Sequence, residues 1–465
     1  MGGTIAGPVK IAVVGGGYGA KVALPVLAGL DELEVVAVWS RRPERASELA
    51  GEAGAELGTS DLDELLDCPG LEAVHVATPV TMHAEVAIAA ARRGLHVLCE
   101  KPLAADLAGA RGIVEAIEAA GVVGAVNYGR RLQVARERVV ERIREVVGRP
   151  RMVSVSLVHD DHAEPGSRPF TWVQDAAMGG GRLQGYGVHD LDLLLEAFGD
   201  VEAVAAATEV GVGERATPEG EGRTVTAEDA YALVLRFRGG GLGLVSLVST
   251  ARHKRGDLIE VHGEGGTVRL DAERRLWWGG AGEELRCEGP LEASSKDAFA
   301  RVARSFCAAI RDGAPPDPPL SKGLRVQALL DAVRAADAQR RWVVPEPVGE
   351  LAASAVGESI REPMAPGPSG ASGPGWARVA ECSASTACPG SAEPWPSPPS
   401  DRSSAPGAAR RCPSSSTVTS PATSRSRTRR APAARTRRGF PSGSRTCWRA
   451  SRTSARAPGA AWSAT

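Results

Sequence analysis

In HVLCEKPLA, residues 96–104, an apolar run ends in a carboxylate, an amine and a proline. The run reads as a buried strand of a parallel sheet, and in such folds ligands bind beyond the carboxyl ends of the strands. Pro102 donates no hydrogen bond, so it stops the ladder, and it confines Lys101 to extended backbone. The amine is thereby held on a short, stiff stem, suited to giving and taking a proton at a substrate oxygen. Because side chains alternate along a strand, Glu100 and Lys101 are expected to point opposite ways rather than pair. A second set of groups lies in MGGGRLQGYGVHDLDLLLEAFG, residues 178–199, where glycines lead into an apolar-periodic helix. His189 and Asp192 share one face of that helix and Asp190 does not. A lysine and a histidine from two parts of the chain can flank one carbonyl or hydroxyl, polarising its oxygen and exchanging its proton.

A redox partner for that proton chemistry is indicated at VVGGGYGA, residues 13–20. Gly15 and Gly17 follow the first strand and Ala20 takes the third place of G-x-G-x-x-G/A. Gly15 permits the tight turn, Gly17 lets backbone N–H groups approach a pyrophosphate, and Ala20 lets helix and strand pack closely. Tyr18 lies in the same turn and is counted with the cofactor-binding residues. At the end of the second strand, AVWSRRPERA places Ser40, Arg41 and Arg42 where an NAD site would carry Asp or Glu. With no carboxylate to repel a 2′-phosphate and Arg41 ready to bind one, NADP(H) is the expected cofactor and NAD(H) the alternative. A nicotinamide would then exchange hydride beside Lys101 and His189.

Other chemistry-bearing residues are weighed more lightly. HDDH, residues 159–162, suggests a metal site, but consecutive residues at a strand end diverge and no spaced partner follows, so no metal is expected. Arg131 and Trp172 are candidates for lining a substrate pocket. Asp192 either contacts substrate or bonds near the helix start. The eight cysteines show no CxxC pair and no metal-like spacing with histidine, which favours a reduced, cytoplasmic setting.

The elements that must position these groups alternate between strand-like and helix-like runs. VKIAVVG, LEVVAVWS, LEAVHVATP, LHVLCEK and VVGAVNYG are separated by helical stretches, the pattern of a doubly wound parallel sheet. HVLCEK counts as its fourth strand. After Pro150 longer strands with glycine turns at 239–241 and 263–266 predict a mostly antiparallel open sheet, with helices near 182–198, 297–312 and 321–340 covering one face. The expected fold class is therefore α/β: a Rossmann domain over 1–130, an α+β domain for substrate and oligomerisation over 131–346, and a low-complexity tail over 347–465.

The chain has 465 residues, 43% hydrophobic and 24% charged, enough for two cored domains. Neither a signal peptide nor a run long and apolar enough to span a membrane is read. The formal charge of −1 averages two unlike parts: from Pro366 onward fifteen arginines face only Glu381, Glu393 and Asp401, and large aliphatic side chains are almost absent. Such a tail cannot offset the entropy of ordering its backbone and is expected to be disordered. Its Arg, Ala, Pro, Ser and Thr content is that of GC-rich DNA read in a shifted frame, which is favoured over a basic arm for nucleic acid.

Three motifs in order, GGGYGA, ATPVTMHAEVAIAAARRGLHVLCEKPLA and GGGRLQGYGVHDLD, resemble the glucose–fructose oxidoreductase, inositol dehydrogenase and rhizopine-catabolism (Gfo/Idh/MocA) oxidoreductases over residues 9 to 345. The resemblance implies a Rossmann domain followed by an α/β domain whose open sheet often mediates dimers or tetramers. It makes Lys101 the catalytic lysine, with Pro102 after a cis bond, and His189 the catalytic histidine. It sets Thr78, Pro79 and His83 along the nicotinamide side, with Glu100 beside the cofactor. Many family members carry Asp four residues before the histidine, where this chain has Gly185, and Val80 replaces a usual Asn. The implied activity is NAD(P)-dependent oxidation or reduction of a sugar, a cyclitol or a related polyhydroxylated compound. The rival expectation is a catalytically silent NADP-binding regulatory or scaffold protein of the same fold.

Overall fold

A computed structural model describes residues 7–17 and 19–348. Tyr18 and, beyond Val348, the tail expected to be disordered lie outside the described residues. The first sheet is fully parallel. It comprises β1 (Val9–Val14), β2 (Leu33–Trp39), β3 (Leu57–Thr59), β4 (Ala73–Val76), β5 (His96–Cys99) and β6 (Gly124–Val126), in the spatial order β3-β2-β1-β4-β5-β6. Every residue of β1 except Lys10 is buried, as a sheet covered on both faces requires. The connections carry α1 (Leu24–Leu27), α2 (Pro43–Ala53), α3 (Leu62–Leu66), α4 (His83–Arg92) and α5 (Leu107–Ala120). Asp106 caps α5 through a 2.8 Å bond from the Gly109 amide, which gives the chain a defined restart after the Lys101 turn. HVLC is the fifth strand, not the fourth. The three-residue β3 is too short to show periodicity and escapes a reading by pattern.

The second sheet has eight strands: β7 (Pro150–Val158), β8 (Val201–Glu209), β11 (Ala230–Phe237), β12 (Leu242–Val248), β13 (Gly256–Gly263), β14 (Gly266–Leu270), β15 (Leu276–Gly280) and β16 (Arg286–Glu288). A short hairpin, β9 (Glu214–Ala216) with β10 (Gly222–Thr224), stands apart. The large sheet runs β16-β15-β14-β13-β7-β12-β11-β8, antiparallel except where β7 pairs with β12. Val153, Val155 and Leu157 of β7 are buried while their neighbours are not, the alternation of a sheet with one covered face. The helices α6 (Val134–Arg142), α7 (Val188–Phe198) and α9 (Leu320–Gln339) supply the cover. A single wide turn, Leu183–Gly187, leads into α7.

The helix expected near 297–312 forms as α8 (Ser295–Asp312), but it serves the first sheet. Phe299, Val302, Phe306 and Cys307 share one core with Val9, Ile11 and Val13 of β1 and Leu27 of α1. A doubly wound sheet must be covered on both faces, and four-residue α1 is too short to cover this one. α8, which follows the second sheet in the chain, thus covers the first. Among the described residues no helix is long and apolar enough to cross a membrane. Phe306 is fully buried, so Phe306→Ala is expected to lower the stability to chemical denaturation by about 3–5 kcal/mol.

Candidate active site

A cavity of about 720 Å³ opens at the carboxyl ends of β1, β2, β4 and β5. Gly15, Gly17, Ser40, Arg41, Thr78, Pro79, His83, Glu100, Lys101 and Trp172 all line it. Gly15 is indispensable to its floor: φ is +144°, and a Cβ there would stand 2.3 Å from the Ala77 carbonyl oxygen. A Cβ at Gly17 would meet nothing within 4 Å, so this part of the turn borders open space in the cavity. Ala20 is buried beneath the turn and contributes packing only. A glycine turn at a strand end, open space beside it and a cavity of this volume fit the pyrophosphate and extended body of a dinucleotide.

Lys101 enters the cavity from the end of β5, with a cis bond to Pro102. Its Nζ donates to the carbonyl oxygen of Gly185 at 2.9 Å. Burial pulls the amine down to about 8, with Glu100 opposing and Arg130 adding to the fall. Glu100 also borders the cavity but does not pair with Lys101. It accepts from the Asn127 side chain at 2.6 Å and lies 3.4 Å from His75 Nε2. Burial pushes the Glu100 carboxyl up, but the His75 and Asn127 contacts prevail and hold it below its ordinary value. His83 lies between two strand-end turns, with Nδ1 3.0 Å from the Pro102 carbonyl and Nε2 3.0 Å from that of Thr78. Burial keeps this imidazole neutral, so only one of its nitrogens donates.

His189 does not line the cavity; it is buried, edge-on to Tyr128 with ring centroids 6.1 Å apart. Its Nδ1 has no partner among the described residues. Burial, then the charges of Lys101, Arg130 and Arg136, push the imidazole well below its usual range, so it is neutral at pH 7. Arg136 anchors the start of α7, donating to the His189 carbonyl at 3.0 Å and to the Asp190 carboxylate at 2.6 Å. Asp192 and Arg131, both candidates for substrate contact, are occupied with each other. The guanidinium holds the carboxylate with two bonds of 3.0 and 2.9 Å. A fork that matches a carboxylate this well leaves neither group for a ligand, and neither borders the cavity.

A second cavity of about 370 Å³ lies under the large sheet, bordered by Arg130, His159, Tyr186, Asp190, Lys254 and Asp257 among others. Sequence reasoning missed Arg130 and Tyr186. The adjacent arginines in NYGRR offer the same chemistry, and only the helical turn at Gly129–Leu132 decides which one faces inward. Tyr186 is held between two guanidiniums, that of Arg130 at 4.6 Å and that of Arg182 at 4.2 Å from its ring. The HDDH residues follow the end of β7, and Arg182 lies against both His159 and Asp161, at 3.5 Å from each. His159 Nε2 lies 2.6 Å from Asp257, while His162 is buried, and its carbonyl accepts from Arg215 at 2.7 Å.

Comparison with known proteins agrees with this arrangement. Residues 9–128 match the oxidoreductase family with an NAD-binding Rossmann fold, and residues 137–269 match the GFO/IDH/MocA C-terminal domain. A levoglucosan dehydrogenase of Pseudarthrobacter phenanthrenivorans is 27% identical, over 73% of this chain and 98% of its own. An inositol 2-dehydrogenase of Rhizobium meliloti is 25% identical, over 72% and 98%. Among solved structures, levoglucosan dehydrogenase in complex with NADH and L-sorbose superposes with a TM-score of 0.66 at 26% identity, covering 73% of this chain and 99% of that one. With a glycine turn on β1, a strand-end lysine on β5 and an open sheet behind both, the chain belongs to the Gfo/Idh/MocA family of NAD-binding oxidoreductases.

Proposed function

We propose that the chain transfers hydride between NADP(H) and a sugar, cyclitol or related polyhydroxylated alcohol or carbonyl. The observation that carries this reading is the position of Lys101 Nζ, which lines the same cavity as the glycine turn. Bound there, the nicotinamide would accept or supply the hydride. Lys101 would exchange the proton at the substrate oxygen, and the Gly185 carbonyl would keep its amine aimed while it does so. His189, neutral and buried, would act on the orientation and basicity of that amine. The named substrates of the relatives, levoglucosan and inositol, support a polyhydroxylated ring as the substrate class. Homo-oligomerisation through the open face of the large sheet belongs to the same proposal.

The cofactor preference rests on charge. Arg41 and Arg42 border the cavity beside Ser40, Arg45 is engaged by Glu48 at 2.6 Å, and the sole carboxylate on the cavity wall among the described residues is Glu100. A dianionic 2′-phosphate meets only cations at the β2 end. Arg41→Asp is expected to lower the NADPH-over-NADH ratio of kcat/KM by about tenfold or more; an unchanged ratio would assign both arginines to solvent.

The amine near pH 8 sets the direction of the pH profile. Oxidation needs the neutral amine and is expected to rise as pH climbs through about 8, whereas reduction needs the ammonium and should fall over the same window. Lys101→Ala is expected to lose about 10²–10⁴-fold in kcat and the pH dependence with it, while NADPH still quenches protein fluorescence on binding. Retained turnover would rule the scheme out.

A second reading, a dinucleotide-binding protein without turnover, is favoured by the backbone carbonyl that stands where a side-chain base would assist Lys101. A Cβ at Gly185 would meet nothing within 4 Å, so an acid can be installed without a clash. Under the first reading wild type turns over and Gly185→Asp changes its rate. Under the second, wild type is inert across a panel of sugars and keto-sugars, and only the Gly185→Asp variant is active.

A further inference from the structure

The second cavity carries an imbalance of charge that a neutral sugar would not use. Three carboxylates border it, and each is engaged through at least one oxygen, although Asp190 Oδ2 is buried without a partner among the described residues. Asp190 accepts from Arg136 at 2.6 Å, Asp257 lies 2.6 Å from His159, and Asp271 accepts from Arg275 at 2.9 Å and from the Trp277 indole at 3.1 Å. Arg130, Lys254 and Arg274 also border it, and none of the three has an acidic partner among the described residues. Lys254 and Arg274 are exposed at its mouth. Arg130 lies deeper: its Nη1 is sealed from solvent without a hydrogen-bond partner among the described residues, and its plane is set by stacking on Tyr186. An unmatched buried donor is costly, and a ligand oxygen is the group that would satisfy it.

The cavity adjoins the reacting centre. Gly185, whose carbonyl holds Lys101 Nζ, is followed directly by Tyr186, which borders the second cavity. His189 is followed by Asp190, which borders the cavity as well. The first cavity, lined by Lys101 and Gly185, and the second, lined by Tyr186, thus meet at one peptide unit.

We propose that the second cavity binds an anionic group of the substrate, a carboxylate or a phosphate on a polyhydroxylated skeleton, clamped by Arg130 with Lys254 and Arg274 while the reacting carbon lies against Lys101. This rests on the hydride-transfer reading above and narrows its substrate class. A neutral polyol could accept from Arg130 but would leave its charge uncompensated, whereas an oxyanion accepts from it with a charge-assisted bond.

The test uses the full chain with NADP⁺ and matched sets sharing one skeleton: an aldose, its uronate and its 6-phosphate, and likewise inositol and an inositol phosphate. One anionic member is expected to exceed its neutral counterpart in kcat/KM by about tenfold or more, and which anion does so identifies the group. Lys254→Ser and Arg274→Asn lie on the surface, and asparagine tolerates the left-handed backbone at position 274, where φ is +62°. Each should erase much of that advantage with no change in Tm and little change for the neutral substrate, and added salt should act in the same direction. Arg130→Gln should do so more strongly. Equal or better turnover of the neutral members would overturn the proposal and leave the hydride-transfer reading intact. If no member turns over, that reading fails instead, and calorimetric titration of the NADPH-loaded protein with the uronate and the phosphate decides this one: binding that the Lys254 and Arg274 variants weaken upholds it, and absent or unaffected binding ends it.

Discussion

The hydrogen bond from Lys101 Nζ to the Gly185 carbonyl joins the carboxyl edge of the parallel sheet to the turn that opens α7, and the candidate chemistry is arranged around it. A lysine in partial burial needs an acceptor, or its charge becomes untenable. A carboxylate at that place would stabilise the ammonium strongly. A backbone carbonyl does so weakly, which is consistent with an amine drawn down to about 8. The neighbouring acid, Glu100, directs its Oε1 to Asn127 and His75. The amine is therefore oriented without being neutralised.

Support for that geometry comes from groups that never touch the cavity's contents. His83 packs between the Pro102 and Thr78 carbonyls, 3.0 Å from each, and donates to one of them. Arg136 secures α7 by bonding both the His189 backbone and the Asp190 side chain. Arg131 and Asp192 add a second buried pair near the same helix. A buried pair of this kind contributes little net stability, yet removing one partner exposes the other to the full desolvation cost. Such pairs therefore enforce one arrangement of the helix that carries His189.

The parallel sheet was legible because strands covered on both faces are continuous apolar runs, and the glycine turn because it directly follows one of them. Lys101 was legible for a related reason, since a proline after an apolar run marks where a strand must end. β3 and α3 were not, having too few residues to display a period. The amphipathic pattern of α8 announced a helix with one buried face, but the identity of the buried partner is a contact some three hundred residues distant in sequence, and no local pattern encodes it. The cavity-facing arginine was lost by one position: Arg131 found Asp192, sixty-one residues away, and Arg130 faced the cavity instead.

What the sequence by itself determined is the set of local geometries: which runs are strands, where they stop, where backbone must approach a phosphate, and which helix presents His189. These follow from steric and hydrogen-bonding limits acting over a few residues. What only the tertiary structure decided is which of the charged groups remain unpaired. Asp192, Arg131 and Arg136 are consumed by partners from other segments, while Arg130 and Lys101 are left facing cavities. Pairing of that kind depends on distances across the packed core, which come into existence only when the two sheets and their shared helices have assembled.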